Sequence, residues 1–272
     1  MSSEGYAKRI ALVVSSCDAF CDTWVPFAHF FAKFWPDCPF QPFLIVNQLP
    51  VVSDFIEPIA IGPDQGWASN FLRTLERLPH DYVLYLQDDY FLDVPVQTAR
   101  VLEDCIWAIE HDADALCFRG YPEPQPGYAV ANERFGFAPV DSDGRTRCQF
   151  TLWKKSSLAR VLREGENAWE MESRGSERTM DMQILVYARR DESPIHYLSS
   201  AIVRGLWVPK ALEMCREAGI AISPRGRGVY TKGQGMKKIR RAASRLAMRL
   251  SLRWRSGRPF DLRRAAVQSL NA

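Results

Sequence analysis

The sequence contains no apolar stretch that approaches the ~18 to 20 consecutive residues of a membrane-spanning helix. The apolar run at residues 10–14 stops at two serines, and Glu4 precedes it, so we expect no signal peptide. The seven cysteines form no CxxC pair and no cluster with histidine, which argues against a zinc motif or a disulfide framework. We therefore expect a cytoplasmic protein whose cysteines are reduced and structural.

Size and composition favour one folded domain with an appendage. The chain has 272 residues, of which 47% are hydrophobic, 12% aromatic and 25% charged, as in an ordinary soluble protein. Residues 225–272 carry fourteen Lys or Arg and a single acid, Asp261. Residues 1–224 hold the remaining 21 basic and 31 acidic residues. A basic tail on an acidic body predicts an anionic partner for the tail alone.

Short β-branched runs alternate with helical patterns along the chain. In the first half, strands are predicted at residues 9–16, 42–46, 59–61 and 82–86, and helices at residues 24–34 and 70–78. The second half predicts helices at residues 96–111, 156–164, 178–188 and 209–218, and strands at residues 115–118, 150–153 and 195–203. Strand, helix and strand in this order predict an α/β fold with a mostly parallel central sheet flanked by helices.

Two adjacent acids, Asp88 and Asp89, directly follow the apolar strand at residues 82–86. Carboxylates are costly to bury unless they are paired or bound to a metal. In an open α/β sheet, ligands bind beyond the carboxyl ends of the strands, and Mg²⁺ or Mn²⁺ prefers carboxylate oxygen together with substrate phosphate. This junction therefore predicts a metal and phosphate site. The alternative is that both aspartates cap the following turn.

Residues 9–92 resemble the nucleotide-binding half of the GT-A fold glycosyltransferases. Gln87-Asp88-Asp89 is similar to the xDD form of the DxD-type motif of that family. The resemblance implies a GT-A-like, Rossmann-type domain with a divalent cation, Mn²⁺ or Mg²⁺. It implies Asp89 as ligand of the metal and the donor diphosphate, and Asp88 near the ribose or the metal's water molecules. Gln87 stands where an acid is frequent, so metal-independence stays open.

The resemblance also implies contacts to the nucleotide-sugar at the end of the first strand and around the helix at residues 70–78. The residues concerned are Ser15, Ser16, Asp18, Trp67 and Asn70. The alternatives are that the two serines only form a turn and that Trp67 only packs against the sheet.

Inverting glycosyl transfer needs a carboxylate that deprotonates the acceptor hydroxyl. Trp169-Glu170-Met171-Glu172 resembles the tryptophan-plus-acid segment that opens the acceptor-side helix in many inverting members of this fold. The resemblance implies that Trp169 stacks on a sugar ring and that Glu170 or Glu172 is the base. Alternatively, both glutamates are favoured by the dipole at a helix N-terminus, and a retaining enzyme would need no such base.

Further candidates follow from position in the second half. Arg204 and Trp207 come after the late strand, where this fold often supplies a metal or diphosphate contact, and Arg204 can bind phosphate in a bidentate manner. His196 is a weaker candidate, because a single histidine is more often structural. Position alone assigns three more residues to the acceptor site: Gln149, Thr151 and Trp153.

The basic tail has helical periodicity at residues 237–255. Arg241, Arg245, Arg249 and Arg253 recur every four residues beside an apolar stripe. Such a basic amphipathic helix can lie on an anionic lipid surface. We favour lipid over packing on the chain's own domain, and no nucleic acid is expected because the body is acidic. The predicted location is the cytoplasmic face of the inner membrane.

Together these features predict a glycosyltransferase that transfers a sugar from a nucleotide-diphosphate sugar, a UDP-sugar, to a glycan or lipid-linked acceptor of bacterial surface polysaccharide. The predicted catalytic domain spans residues 1–224, with its nucleotide-binding half ending near residue 95, and the tail spans residues 225–272. One alternative is a nucleotidyltransferase, although residues 15–23 lack the expected glycine and basic residue. The other is a non-catalytic binding module on a membrane surface.

Overall fold

The computed structural model describes residues 1–124, 133–222, 226–231 and 259–263. The helices are α1 Ser3–Ala7, α2 Cys21–Phe34, α3 Trp67–Arg77, α4 Thr98–Glu110, α5 Lys155–Val161, α6 Ala168–Gly175 and α7 Pro209–Glu217. The strands are β1 Ile10–Ser15, β2 Gln41–Val46, β3 Val51–Val52, β4 Glu57–Ala60, β5 Tyr82–Gln87, β6 Phe91–Leu92, β7 Ala115–Cys117, β8 Phe135–Phe137, β9 Thr151–Lys154, β10 Ile184–Tyr187, β11 Tyr197–Leu198, β12 Ile202–Val203, β13 Leu206–Trp207 and β14 Phe260–Asp261.

Eight of these strands form one sheet in the order β4-β2-β1-β5-β9-β7-β10-β8. The strands β1, β2, β4 and β5 are parallel to one another. β9 is antiparallel to both β5 and β7, and β8 is antiparallel to β10, whereas β10 and β7 are parallel. Six strands therefore run in one direction and two in the other. This confirms the α/β fold with a mostly parallel sheet that the sequence predicts.

The centre of the sheet is buried on both faces. All six residues of β1 are buried, and so are the first five of β5, as expected for parallel strands covered by helices. Leu12 and Leu84 face a core that includes Phe27 of α2, whereas Val13 faces the core on the opposite side. Both α2 and α4 contribute to the first core, and α3, α5 and α6 contribute to the second. The acids that end β5 therefore sit on a rigid support.

One predicted helix, at residues 178–188, is wrong. Residues Ser176–Thr179 form one 3₁₀ turn, and Ile184–Tyr187 form strand β10. The physical reason is that these four consecutive residues are apolar and buried, at 0 to 1% exposure, which suits a strand covered on both faces. The predicted strand at residues 195–203 is two short strands, β11 and β12, with residues 199–201 turned towards Asp89.

The end of the chain returns to the first half, because β14 pairs in parallel with β3. The predicted domain boundary at 224/225 and the predicted helix at residues 237–255 lie outside the described residues. Within the described ranges, no helix combines the length and the apolar character needed to cross a membrane. All seven cysteines lie in these ranges, and none of them forms a disulfide.

Candidate functional site

Asp88 lies in the turn that ends β5 and is 5% exposed. Its Oδ2 accepts hydrogen bonds from Ser16 Oγ at 2.5 Å and from Thr23 Oγ1 at 2.9 Å. Ser16 Oγ in turn accepts a hydrogen bond from Trp24 Nε1 at 2.7 Å. Since both donors come from the end of β1 and the start of α2, the β1–α2 connection holds this carboxylate. The structure thus brings the predicted residues Ser16 and Asp88 together.

Asp89 is 6% exposed and is held by the segment at residues 200–202. Its Oδ2 accepts hydrogen bonds from Ser200 Oγ at 2.7 Å and from the backbone N–H of Ile202 at 3.2 Å. Its backbone carbonyl accepts a hydrogen bond from the N–H of Ala201 at 2.8 Å. The other carboxylate oxygen, Oδ1, is buried and has no hydrogen-bond partner within the described part of the chain. A buried acceptor of this kind costs free energy until a ligand satisfies it.

Both carboxylates are held with pKa values above the ordinary range. Burial raises the pKa of Asp88 to about 8, and the charge of Asp89 acts in the same direction, against the hydrogen bonds from Ser16 and Thr23. Burial raises the pKa of Asp89 to about 6, against the hydrogen bonds from Ser200 and Ile202. The cause in each case is that a charged carboxylate is disfavoured away from water. A cation at this position would favour the ionised forms.

The residues present fit a divalent cation in one respect, the unpartnered buried oxygen of Asp89. No group of three or more His, Cys, Asp or Glu that could hold a metal occurs among the described residues. A cation bound by Asp89 and Asp88 would therefore take its other ligands from water and from a substrate phosphate, as Mg²⁺ usually does.

The other residues that the sequence predicts as nucleotide-sugar contacts lie at the same edge of the sheet. In the structure they make contacts that hold the fold together. Trp67 Nε1 donates a hydrogen bond to Ser15 Oγ at 3.0 Å, which fixes the start of α3 to the end of β1. Asn70 Nδ2 donates to Asp64 Oδ1 at 2.7 Å and so orders the loop before α3. The Asp18 carboxylate accepts three backbone N–H bonds from residues 47–49, at 2.8 to 2.9 Å, and holds the loop after β2.

The two candidate bases have different environments. Glu170 forms a capping box with Asn167, because its Oε2 accepts the backbone N–H of Asn167 at 2.9 Å. Glu172 Oε1 accepts the backbone N–H of Cys148 at 2.8 Å, and no contact of Oε2 is found within the described ranges. Trp169 points outward and is 73% exposed. Glu170 therefore caps the helix start, whereas Glu172 has one oxygen that accepts no hydrogen bond from the described residues.

The segment that leads into β9 forms a polar network beside the aspartates. Gln149 Oε1 accepts hydrogen bonds from Arg119 Nη1 at 2.6 Å and from Tyr197 Oη at 2.8 Å. Gln149 Nε2 donates to the hydroxyl of Tyr90 at 3.2 Å. Tyr90 follows Asp89 directly and stacks on Tyr197 with ring centres 4.9 Å apart. Gln149 is thus coupled to the Asp88-Asp89 turn.

The five remaining predicted residues make no hydrogen bond to Asp88 or Asp89, and most of them take packing or turn positions. Trp153 is 2% exposed and lines a small cavity with Trp67, and Trp207 is fully buried against Phe91. Arg204 is exposed and has a positive φ of 54° at the turn between β12 and β13. Thr151 is buried in register between Tyr85 and Cys117. His196 is half-buried and makes no hydrogen bond within the described residues.

Sequence reasoning missed Arg227, Thr23 and Ser200. Arg227 is 8% exposed, and its Nε and Nη2 donate to the Asp22 carboxylate at 2.7 and 2.8 Å. Its positive charge lowers the pKa of both Asp88 and Asp89, although less than burial raises them. The sequence places Arg227 in the basic tail, and no local pattern links it to residue 22.

Comparison with known proteins gives structural likenesses only. No family model and no curated protein matches the chain. Residues 1–349 of TarS from S. aureus match with a TM-score of 0.47 and 10% identity, over 77% of this chain and 64% of that one. The same TarS fragment in complex with UDP-GlcNAc matches with a TM-score of 0.44 and 9% identity, over 70% of this chain and 57% of that one. A cytidylyltransferase from Leptospira borgpetersenii matches with a TM-score of 0.45 and 11% identity, over 78% of this chain and 95% of that one.

The chain spans less than two thirds of the length of these TarS structures. All three likenesses have TM-scores of 0.47 or less and identities of 11% or less. They are too distant to carry an argument about function.

Proposed function

We propose that the chain is a glycosyltransferase that binds a nucleotide-diphosphate sugar, a UDP-sugar, at the carboxyl end of β5 and transfers the sugar to a glycan or lipid-linked acceptor. The observation that carries the proposal is the buried pair Asp88 and Asp89, in which Asp89 Oδ1 has no partner among the described residues. Turn-capping aspartates would have their oxygens satisfied by local backbone N–H groups. The position beyond the carboxyl end of a parallel strand is where ligands of such sheets bind.

In this proposal Asp89, with Asp88 beside it, holds a divalent cation. The cation would offset negative charge on the departing nucleoside diphosphate. Ser200 and Ile202 orient the Asp89 carboxylate, and Ser16 and Thr23 orient that of Asp88. Glu172 is the proposed base, because the N–H of Cys148 fixes one of its oxygens while the other can accept the proton of the acceptor hydroxyl.

The test is incubation of the full chain with a panel of nucleoside-diphosphate sugars in Mn²⁺, Mg²⁺ or EDTA, with release of nucleoside diphosphate as the readout. We expect slow donor hydrolysis that Asp89→Ala reduces by about 100-fold or more, the scale of losing a group that stabilises transition-state charge. Asp93→Asn is the matched control, since Asp93 is a nearby exposed acid. Release of pyrophosphate from a nucleoside triphosphate and a sugar 1-phosphate would instead identify a nucleotidyltransferase. No binding of any donor would favour the non-catalytic module.

The proposal includes attachment of the tail at residues 225–272 to anionic lipid. Neutralising Arg241, Arg245, Arg249 and Arg253 together should release the chain from vesicles that contain anionic lipid. This variant is preferable to a truncation, because truncation would also remove β14, which pairs with β3. Undiminished vesicle binding by the neutralised variant would contradict this part of the proposal.

A further inference from the structure

Arg119 and Arg147 lie on two facing segments at the carboxyl end of the sheet. Arg119 comes after β7, and Arg147 comes before β9. Arg119 Nη1 reaches across to Gln149 Oε1 at 2.6 Å, while the guanidinium carbon of Arg147 lies 4.0 Å from the ring centre of Tyr121. Each arginine therefore contacts the segment that carries the other one.

Neither arginine has an acidic partner. All 32 acids of the chain lie in the described residues, and none of them forms a salt bridge with Arg119 or Arg147. Both side chains are half-buried. Arg134, Arg178 and Arg227 also have restricted exposure and do have carboxylate partners, whereas Arg73 and Arg100 are half-buried and form no salt bridge within the described residues.

Few hydrogen bonds from the two guanidinium groups occur among the described residues, and the bond from Arg119 to Gln149 is one of them. Arg147 Nε is sealed from solvent and has no hydrogen-bond partner within the described ranges. Arg145 makes a useful contrast, because it too lacks a carboxylate but donates to the carbonyls of residues 138, 139, 179 and 182. Arg145 is thus a satisfied structural residue, whereas Arg147 is a half-buried cation that packs on the Tyr121 ring and against Gly144 and has no carboxylate partner among the described residues.

The positive charges of Arg119 and Arg147 both act on the thiol of Cys117. Burial raises the pKa of the Cys117 thiol, and the charges of Arg119 and Arg147 both lower it. Two positive charges near one buried thiol repel each other and are costly to desolvate. An oxyanion between them would offset that cost, since guanidinium groups bind phosphate and carboxylate through paired N–H donors.

The register of the strands places this pair on the acceptor side of the aspartates. Tyr85, Thr151 and Cys117 are aligned in β5, β9 and β7. Gln87 lies two residues beyond Tyr85, and Arg119 lies two residues beyond Cys117, so both are at the same edge, roughly 10 Å apart across two strand spacings.

We propose that Arg119 and Arg147 form an oxyanion subsite that holds a phosphate or carboxylate group of the acceptor. The identification of the ligand as an acceptor rests on the proposed function, whereas the binding of an oxyanion does not. Glu172 hydrogen-bonds the N–H of Cys148, the residue after Arg147. An acceptor anchored at this subsite is therefore next to the proposed base.

The test measures binding of small probes to the full chain at fixed ionic strength by calorimetry or ligand-observed NMR. Glycerol 1-phosphate represents the phosphate source and glucuronate the carboxylate source, with glycerol and glucose as neutral analogues. We expect saturable binding of at least one anionic probe and none of the neutral ones. Its Kd should rise about tenfold or more in Arg119→Gln and in Arg147→Gln, as expected for a lost charge-assisted hydrogen bond.

Two controls locate the probe. Arg160→Gln removes one positive charge from the exposed face of α5 and should leave the Kd unchanged. Asp89→Ala should retain binding, because a probe held at the donor acids would respond to that change. Arg147→Lys keeps the positive charge but removes the paired N–H donors of the guanidinium group. It therefore tests whether those paired donors are needed for binding. In the unmodified chain, the anionic probe should also protect Arg119 and Arg147 from phenylglyoxal, as mapped by mass spectrometry.

The inference is overturned if neither anionic probe binds saturably, or if the Arg119→Gln, Arg147→Gln double variant binds as tightly as the unmodified chain. Those results would leave donor hydrolysis and its dependence on Asp89 untouched. Conversely, loss of the proposed transferase function would show in the donor panel, while the probe measurements would still decide whether the oxyanion subsite exists.

Discussion

Arg227 and Asp22 join positions 205 residues apart in the sequence through a bidentate ion pair, with Arg227 Nε at 2.7 Å and Nη2 at 2.8 Å from the carboxylate oxygens. Arg227 Nη2 also donates to the carbonyl of Ala19 at 2.7 Å. Its guanidinium carbon lies 4.3 Å from the ring centre of Phe20. Because Thr23 of the same segment donates to Asp88, the pair fixes the loop that holds the first aspartate.

Replacing Arg227 by Ala should lower the free energy of unfolding by about 2 to 3 kcal/mol, since it leaves Asp22 without its buried partner. The expected loss is smaller than for a fully buried ion pair, because the Asp22 side chain is 29% exposed. Urea denaturation measures the change. Arg216→Gln, an exposed arginine at the end of α7, should change stability by less than about 0.5 kcal/mol.

A double-mutant cycle with Asp22→Asn separates the pair from the packing of Arg227 on Phe20. The coupling energy should exceed about 1 kcal/mol, as for residues in direct contact. If the two single changes simply add, the ion pair does not stabilise the loop.

Glu172 and Glu170 can be separated as base and helix cap. Glu172→Gln keeps an oxygen for the N–H of Cys148 and should leave stability nearly unchanged, but it should reduce acceptor-dependent turnover by about 100-fold or more, because the proton acceptor is lost. Glu170→Gln also keeps the cap and should affect turnover little. Acceptor-stimulated release of nucleoside diphosphate and thermal unfolding measure the two effects.

Glu170→Ala should cost about 1 kcal/mol of stability, because it removes the capping box with Asn167. Equal loss of turnover in the two Gln variants would contradict the assignment of the base to Glu172.

The part of the candidate site around Asp88 and Asp89 was predictable from the sequence because its signals are local. A run of apolar residues at 82–86 followed by two acids predicts a buried strand that ends at a ligand edge, and β5 with Asp88 and Asp89 confirms the strand and its position. Ser15 and Ser16, at the end of β1, lie at the same edge for the same reason. Such features need only neighbouring residues and the direction of parallel strands.

The part of the candidate site around Gln149 and Arg119 was less predictable because it depends on strand order. Nothing local shows that β9 inserts antiparallel between β5 and β7, which is what brings Gln149 beside Arg119 and Tyr90. The same insertion places Trp153 in the core. The misassigned helix at residues 178–188 has a similar cause, since the apolar run at 184–187 fits either a buried helix or a central strand.

The ion pair between Glu166 and Arg178 predicts that the free energy of unfolding depends on pH in the acidic range. The hydrogen bonds from Arg178 lower the pKa of Glu166 from its ordinary value of 4.5, and Glu166 is 8% exposed. The unfolded chain therefore binds more protons in this range, so the free energy of unfolding rises with pH. The contribution is complete above pH 4.5 and is lost as pH falls through the lowered pKa of the folded state.

Glu166→Gln should reduce stability by about 2 kcal/mol at pH 7, because it leaves Arg178 without its charged partner. The difference from the unmodified chain should shrink as pH falls below 4.5, and urea titrations at several pH values measure it. Glu164→Gln is the control, because Glu164 is exposed and forms no ion pair within the described residues. If the difference in unfolding free energy between the variant and the unmodified chain stays constant from pH 7 to pH 3, Glu166 stabilises the fold through packing and not through its charge.

Arg204 occupies a backbone conformation that arginine seldom adopts. It and Gly205 have φ values of 54° and 79° in the two-residue turn between β12 and β13, which favours Asn or Gly at the first position. An unfavourable residue at such a turn is a reason to test its side chain for a role in binding. Arg204→Asn should therefore raise the free energy of unfolding by up to about 1 kcal/mol and weaken donor binding about tenfold, because a phosphate contact is lost.

Glu133→Asn provides the matched control, because Glu133 is exposed and has a φ of 61°. It should gain similar stability and leave donor binding unchanged. Titration of a nucleoside-diphosphate sugar into each variant measures affinity, and thermal unfolding measures stability. If Arg204→Asn gains stability with unaltered donor affinity, Arg204 is only a turn residue, and the diphosphate must be held by other groups near Asp89.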